Sequence, residues 1–366
     1  MTFSISRRHV IRAASAAAAV SAIPFTIRAQ TRATKELRLN VSSGDFGKAF
    51  IEAYVKPFET ETGVKVTPVT QNVGSVAAIA LMVTNDNVAL DLVISGPVGV
   101  AELSAKDMLE KIDYAIYKKE ELSGIPEACR NAYSVAPYFG SVNMVYNTTK
   151  YPASKPRPAN WAEFWDVSKF PGVRSLATST NYGCWEEALL ADGVPVEKLY
   201  PMDIERVFAS LERIKPHVRK WWNNGAEIQQ MLRDGAADLA SSFDGRALVL
   251  MNEGAPIEIS RNQAKLYWDA MVIPKGAPNA HNAQRFLEFM TRGDRQAAFA
   301  QIFPQAPSNQ NAYKHLPDQL GRKLCSHPDY AKTSYYRNWQ WYAETGSDGK
   351  TNQQRMVDRW NQWILK

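Results

Sequence analysis

The sequence predicts an α/β fold, doubly wound and arranged in two lobes. Three observations carry this. Over residues 36–94 strand-like and helix-like patterns alternate in the order strand, helix, strand, helix, strand. The run Leu90-Asp91-Leu92-Val93-Ile94 is largely apolar, as a strand buried in a parallel sheet must be. About 335 residues follow an N-terminal export signal, more than a single core commonly spans.

Residues 36–41 alternate apolar and polar side chains and form the first predicted strand. Ser42-Ser43-Gly44-Asp45 follows as a loop of helix-capping residues. Residues 49–62 then carry apolar side chains at helical spacing up to Gly63, where a left-handed cap is easy. Residues 64–69 are the second strand, 76–84 a helix and 90–94 the third strand. Ligands in such sheets bind outside the carboxyl ends of the strands, here the loops 41–45, 70–74 and 95–99. Residues 135–138 and 143–147 read as extended segments that could cross between lobes, and the proline-rich 150–160 as a surface loop. Helices are expected at 161–165, 184–191, 203–214 (capped by Asp203), 225–234, 279–291 and 353–365. Strands are expected at 238–243 and 266–273.

The N-terminal 29 residues read as an export signal. Arg7-Arg8 precede a weakly apolar, alanine-rich stretch too short for a bilayer span of about 20 residues. The arginine pair points to the twin-arginine route, with a Sec signal as the alternative. This segment holds four of the 43 basic residues and none of the 37 acids, so the formal charge of +6 falls to 39 basic against 37 acidic residues. No basic block suggests nucleic acid. Cys129, Cys184 and Cys325 have no metal-type spacing; buried thiols are expected, with one disulfide open in an oxidising compartment. Phosphate loops, His-Glu-x-x-His and Gly-x-Ser-x-Gly are all absent from the sequence, so no catalytic residue is assigned.

The stretch Asn160-Trp161-Ala162-Glu163-Phe164-Trp165-Asp166, then Lys169-Phe170-Pro171-Gly172-Val173-Arg174, resembles a signature of bacterial extracellular solute-binding proteins of the spermidine/putrescine type. Phe58-Glu59, Thr62 to Val66, Asp91-Leu92-Val93, Val145 to Thr148, Ala240 to Arg246, Gly254 to Ile257 and Asp269 to Lys275 match in the same order. The resemblance covers essentially the whole mature chain. It implies a periplasmic-binding-protein fold: two doubly wound lobes joined by a hinge, with the ligand cleft between them. The lobes are expected at 30–138 with 269–307, and at 139–268 with 308–366, the chain crossing near Tyr138, Asp269 and Pro307. The protein is expected to be a periplasmic monomer that binds a small molecule without cofactor or metal and delivers it to an inner-membrane ABC permease.

Asp269 matches a family position whose carboxylate meets an amine of the ligand; such a charge-assisted bond is about twice as strong as a neutral one. A salt bridge to Arg246 or a strand-end cap is the structural alternative. Phe243 matches a position usually held by tryptophan and could cover an alkyl chain or attract a cation; core packing is the alternative. In the pair Trp221-Trp222, one ring is expected in the core and Trp222 at the cleft. The loop 178–183 lacks the acids of polyamine binders, and Arg246 would repel a second ammonium while clamping a carboxylate. Asp269 and Arg246 together suit a zwitterion such as an ω-amino acid, unless Arg246 pairs with Asp269 or Asp244 or points to solvent. Asp244 joins the candidate ligand-binding residues, as do Ser43, Ser95 and Thr180, whose hydroxyls serve either a small amine or a zwitterion. Rival readings are an iron binder, which would need a tyrosine cluster, a thiamine binder, and an exported enzyme.

Overall fold

The computed structural model describes residues 35–70, 74–178 and 182–366; the export signal and Thr180 lie outside the described residues. The strands in chain order are β1 (Glu36–Asn40), β2 (Lys65–Val69), β3 (Val93–Ser95), β4 (Arg130–Asn131), β5 (Ser134–Val135), β6 (Tyr138–Asn147), β7 (Arg174–Ala177), β8 (Val218–Trp222), β9 (Leu239–Phe243), β10 (Ile257–Trp268), β11 (Ala270–Val272), β12 (Ala306–Pro307) and β13 (Ser334–Tyr336).

β1 and β2 pair in parallel, and Leu39 bridges in parallel to Leu92, just before β3. β3 continues into the order β3-β11-β5-β4. The second sheet runs β13-β10-β6-β9-β7-β8, with β12 also on β6. β7, β8 and β9 are parallel, whereas β6 is antiparallel to both β9 and β10. The fold is therefore α/β with parallel strands at its heart and antiparallel strands where the chain passes between sheets. Those passages lie at Ala136-Pro137, between β5 and β6, and at Asp269, between β10 and β11.

The first strand, the helix 76–84 and the end of the first long helix fall where the pattern predicts. Gly63 has φ 66°, and its N–H bonds back to Glu59 O. The third strand is shorter than expected, because Asp91 is used otherwise. Its carboxylate accepts from the Arg38 N–H at 2.7 Å and from Asn279 N–H and Nδ2 at 2.7 and 3.0 Å. The two extended segments at 135–147 are largely one strand, β6, ten residues long. The strand expected at 266–273 divides at Asp269, because β10 pairs with β6 in one sheet and β11 with β3 in the other.

Leu37, Leu39, Phe50, Phe58 and Phe286 fill one core around β1 and β2; Trp161, Phe164, Leu176 and Trp185 fill another around the second sheet. The helix Ile204–Ile214 buries Val207, Phe208, Leu211 and Ile214, and the Asp203 side chain accepts from the Arg206 N–H at 3.0 Å. Asp203→Ala is expected to cost about 1 kcal/mol, the usual loss of an N-cap, measured by urea unfolding. Among the described residues, no helix is long and apolar enough to cross a membrane.

A charged cluster is buried beside the second sheet. Lys265 Nζ donates to Glu186 at 3.0 Å and to Glu187 at 2.9 Å, and all three side chains have no solvent exposure. Burial works to raise Glu186, but Lys265 and Arg337 hold it at about 2. Burial pushes Glu187 up to about 7, with the Glu186 charge adding and Lys265 opposing. Cys184 and Tyr335 also feel the Glu187 charge. A carboxyl raised in the folded chain binds its proton more tightly there than when unfolded. Its stabilisation is full below the ordinary value of 4.5 and is lost as pH rises through about 7. Glu187→Gln is therefore expected to flatten a fall in stability between about pH 5 and pH 8, seen as denaturation midpoints that no longer decline over that interval.

Candidate functional site

Asp269 is the single residue between β10 and β11. Side chains alternate along the strand leading to it. Leu266 packs with Ala297 and Ala300, and Trp268 meets Phe139 and Trp339 at ring distances of 6.1 and 6.2 Å. Lys265, Tyr267 and Asp269 take the other face. There the Tyr138 hydroxyl donates to one Asp269 oxygen at 2.5 Å, and the Tyr182 hydroxyl donates to the other. Burial raises the Asp269 carboxyl above its ordinary value, and the two tyrosine hydrogen bonds oppose that rise.

Aromatic rings wall the carboxylate. Tyr182 lies 4.4 Å from Tyr267 and 5.2 Å from Phe243, and Phe243 lies 5.6 Å from Tyr267. The two pairs with Phe243 are edge-to-face, an arrangement worth about 0.5–1.5 kcal/mol per pair beyond burial. Phe243 ends β9, and the helix Asp244–Asn252 begins directly after it. That places Arg246 in the first turn of the helix, aimed back at the loop after β1.

The Arg246 side chain crosses from the second sheet to the first helix. Nη1 donates to Gln229 Oε1 at 2.9 Å, and Nη2 reaches Ser43 O at 3.4 Å. Its guanidinium carbon stands 5.5 Å from the centre of the Phe303 ring and 5.9 Å from that of Phe46. The residue is 6 % exposed, yet among the described residues no carboxylate lies within ion-pair distance of it. Burial lowers its pKa, and the neighbouring Tyr267, Asp45 and Tyr138 partly offset that. Tyr138 thus couples the two ends: it bonds Asp269 and feels the Arg246 charge.

Two glycines make room for this cation. A Cβ on Gly225 would lie 2.9 Å from Arg246 Nε, and one on Gly44 (φ +74°) would lie 3.3 Å from Nη1. Gly225→Ala is expected to displace the guanidinium and weaken ligand binding several-fold while leaving the melting temperature nearly unchanged. Calorimetric titration beside a thermal melt checks both.

Phe243 packs against Tyr182 and Tyr267 beside Asp269, while Tyr138, bonded to Asp269, lies 5.4 Å from the Phe46 ring that faces Arg246. Trp222 is buried in the core, its Nε1 donating to Ser241 O at 3.0 Å, and it touches the site through Phe243 at 5.3 Å. Trp221 packs against Trp360 and Trp363 instead. Asp244 makes contacts within the protein. It has no exposure, accepts from the Ser141 N–H at 3.1 Å and pairs with Arg261 at 3.2 Å. Ser43 contributes its carbonyl to Arg246. Ser95 is buried, its Oγ packed so close to Gly99 that a Cβ there would lie 2.6 Å away.

Sequence reasoning weighed Tyr138, Tyr182 and Tyr267, with Tyr133 and Tyr146, only as tyrosines for the iron-binding alternative, and it missed Gln229. The period-two pattern ending at Asp269 carries the signal for Tyr267. The loop after β7, read as merely lacking acids, supplies Tyr182. Phe46, one residue beyond the first loop, lies with its ring 5.4 Å from that of Tyr138.

The fold joins two α/β sheets by crossing strands, and at one crossing Asp269 is buried among Tyr138, Tyr182 and Tyr267. The profile of the bacterial extracellular solute-binding proteins matches residues 53–323, and the chain belongs to that family. It is 28% identical over 338 residues to the gamma-aminobutyric acid-binding protein of Pseudomonas aeruginosa, covering 89% of this chain and 90% of that one. To the spermidine/putrescine-binding periplasmic protein of Escherichia coli it is 25% identical, covering 80% and 85%. Among solved structures, an ABC transporter protein from Rhodopseudomonas palustris is 31% identical with a TM-score of 0.83, covering 89% of this chain and 98% of that one. The chain is a periplasmic solute-binding component of an ABC importer.

Proposed function

We propose that the ligand is a small ω-amino acid, of the size of 4-aminobutyrate, held with its ammonium on Asp269 and its carboxylate on Arg246. Tyr182, Tyr267 and Phe243 would cover the methylenes. The lobes would be 30–138 with 269–307 and 139–268 with 308–366, closing on the ligand and presenting it, as a monomer, to the permease without any chemical step.

The observation that carries this is the state of Arg246. A buried guanidinium lacking a carboxylate is costly unless a ligand completes it. A carboxylate offers the planar two-oxygen edge that a guanidinium matches. The gamma-aminobutyric acid-binding relative supports the same class. A diamine suits the site less, because Arg246 would face its second ammonium. A ferric ion suits it less still. Burial pushes Tyr138, Tyr182 and Tyr267 well above the usual tyrosine range, which opposes the phenolates iron requires.

Calorimetric titration with 4-aminobutyrate, putrescine and spermidine tests the reading. Tightest binding of 4-aminobutyrate is expected. Tighter binding of putrescine would overturn the role of Arg246, and binding of none of the three would overturn the amine class.

A further inference from the structure

The buried cluster around Lys265 has one contact outside itself that leads to the ligand site. Besides Glu186 and Glu187, Lys265 Nζ donates to the backbone carbonyl of Gly183 at 2.9 Å. The preceding residue is Tyr182, whose hydroxyl donates to Asp269 and whose ring lies against Tyr267 and Phe243. Gly183 is closely fitted: a Cβ there would meet the Trp185 ring at 2.8 Å. Lys265 also shares its strand face with Tyr267 and Asp269, two and four residues on.

The cluster is heavily braced. Glu186 accepts from the Tyr200 hydroxyl at 2.6 Å and the Tyr342 hydroxyl at 2.7 Å, and Arg337 stands 3.8 Å away, its guanidinium 3.9 Å from the Tyr342 ring centre. Four buried charges are a poor way to gain stability, since apolar side chains of equal volume commonly do as well or better. They are a good way to fix one ammonium, because each carboxylate accepts along defined directions and cannot slide as an apolar contact can. The atom so fixed holds a carbonyl next to a residue of the ligand site.

We propose that Lys265 is a positioning residue for the ligand site, held by Glu186 and Glu187 so that its ammonium fixes Gly183 and thereby sets Tyr182 against Asp269. This rests on the reading of Asp269 as the ammonium site. Lys265 touches no ligand; it acts through Tyr182, and its loss frees the Tyr182 hydroxyl to leave the carboxylate.

The test is a double-mutant cycle on ligand affinity. Lys265→Met with Glu187→Met removes the buried ammonium together with the carboxyl group it bonds, and leaves Glu186 with Arg337 and its two tyrosines. The pair is expected to stay folded and to bind 4-aminobutyrate roughly tenfold more weakly, the size of coupling found between residues of one network. Tyr182→Phe is expected to weaken binding in the wild type but to have little further effect in the Lys265/Glu187 variant. A role in folding alone would lower stability and leave the Tyr182 effect intact, so full additivity overturns the proposal. Should the double variant not fold, Lys265→Arg keeps the charge and replaces the single ammonium with a planar fork; unchanged affinity there also overturns it. If the wild type binds no amine, the ligand reading has failed and amide exchange decides this proposal alone. Faster exchange at Tyr182 and Gly183 in the variant supports the anchor, and unchanged exchange refutes it.

Discussion

Asp269→Asn is expected to weaken 4-aminobutyrate binding by roughly 30- to 4,000-fold, since truncating one side of a buried charge pair costs about 2–5 kcal/mol and each 1.4 kcal/mol is tenfold. The substitution keeps the shape and an acceptor oxygen for the Tyr138 hydroxyl, but it leaves the ligand ammonium without a counter-charge. The unliganded protein should not suffer. Its Asp269 carboxyl is raised by burial, so replacing it removes a group that resists ionisation in place. The same rise gives the binding a pH dependence of known sign. An ammonium needs the ionised carboxylate, so affinity is expected to fall as pH falls into the raised titration range of Asp269, with proton release on binding there. Asp269→Asn should abolish that dependence. Calorimetry in two buffers of different ionisation heat measures both effects.

Arg246→Met is expected to reduce 4-aminobutyrate affinity by roughly 100-fold, the loss of a charge-assisted two-point contact to a carboxylate. Methionine fills much of the same space between Phe46 and Phe303, so the loss reports the charge more than the packing. In the absence of ligand the variant is expected to melt at a higher temperature, because a buried guanidinium lacking a carboxylate is removed. Arg246→Lys should not restore binding fully, since a point charge cannot match both carboxylate oxygens. A thermal shift series with and without ligand separates the two effects.

Much of the frame is written locally. The helix that stops at Gly63 and the strand that starts at Glu36 follow from capping and alternation, which need no knowledge of the rest of the chain. The long strand β10 is not legible, because its middle reads Ser260-Arg261-Asn262-Gln263. The register slips between Ser260 and Lys265, and Gln263 turns through φ 56°. Nor is the helix that starts at Asp244: it opens on Asp-Gly-Arg with no gap after a strand, and its buried side chains include Arg246 itself. Asp269 and Arg246 were readable through the family resemblance, Asp269 by matching a position that meets a ligand amine and Arg246 by lying in the matched stretch Ala240 to Arg246. The tyrosines were not, since a tyrosine serves a core and a binding site equally well. Only the three-dimensional return of Tyr182 to Asp269, 87 residues away in sequence, distinguishes them.

The pairing of Asp269 and Arg246 on one zwitterion is the central claim. The ratio of the dissociation constants for putrescine and 4-aminobutyrate, measured in the wild type and in Arg246→Met, tests it most directly. The ratio should favour 4-aminobutyrate in the wild type and fall by about two orders of magnitude or more in the variant, where the second ammonium is no longer repelled. An unchanged ratio would contradict the claim, because Arg246 would then take no part in telling a carboxylate from an amine.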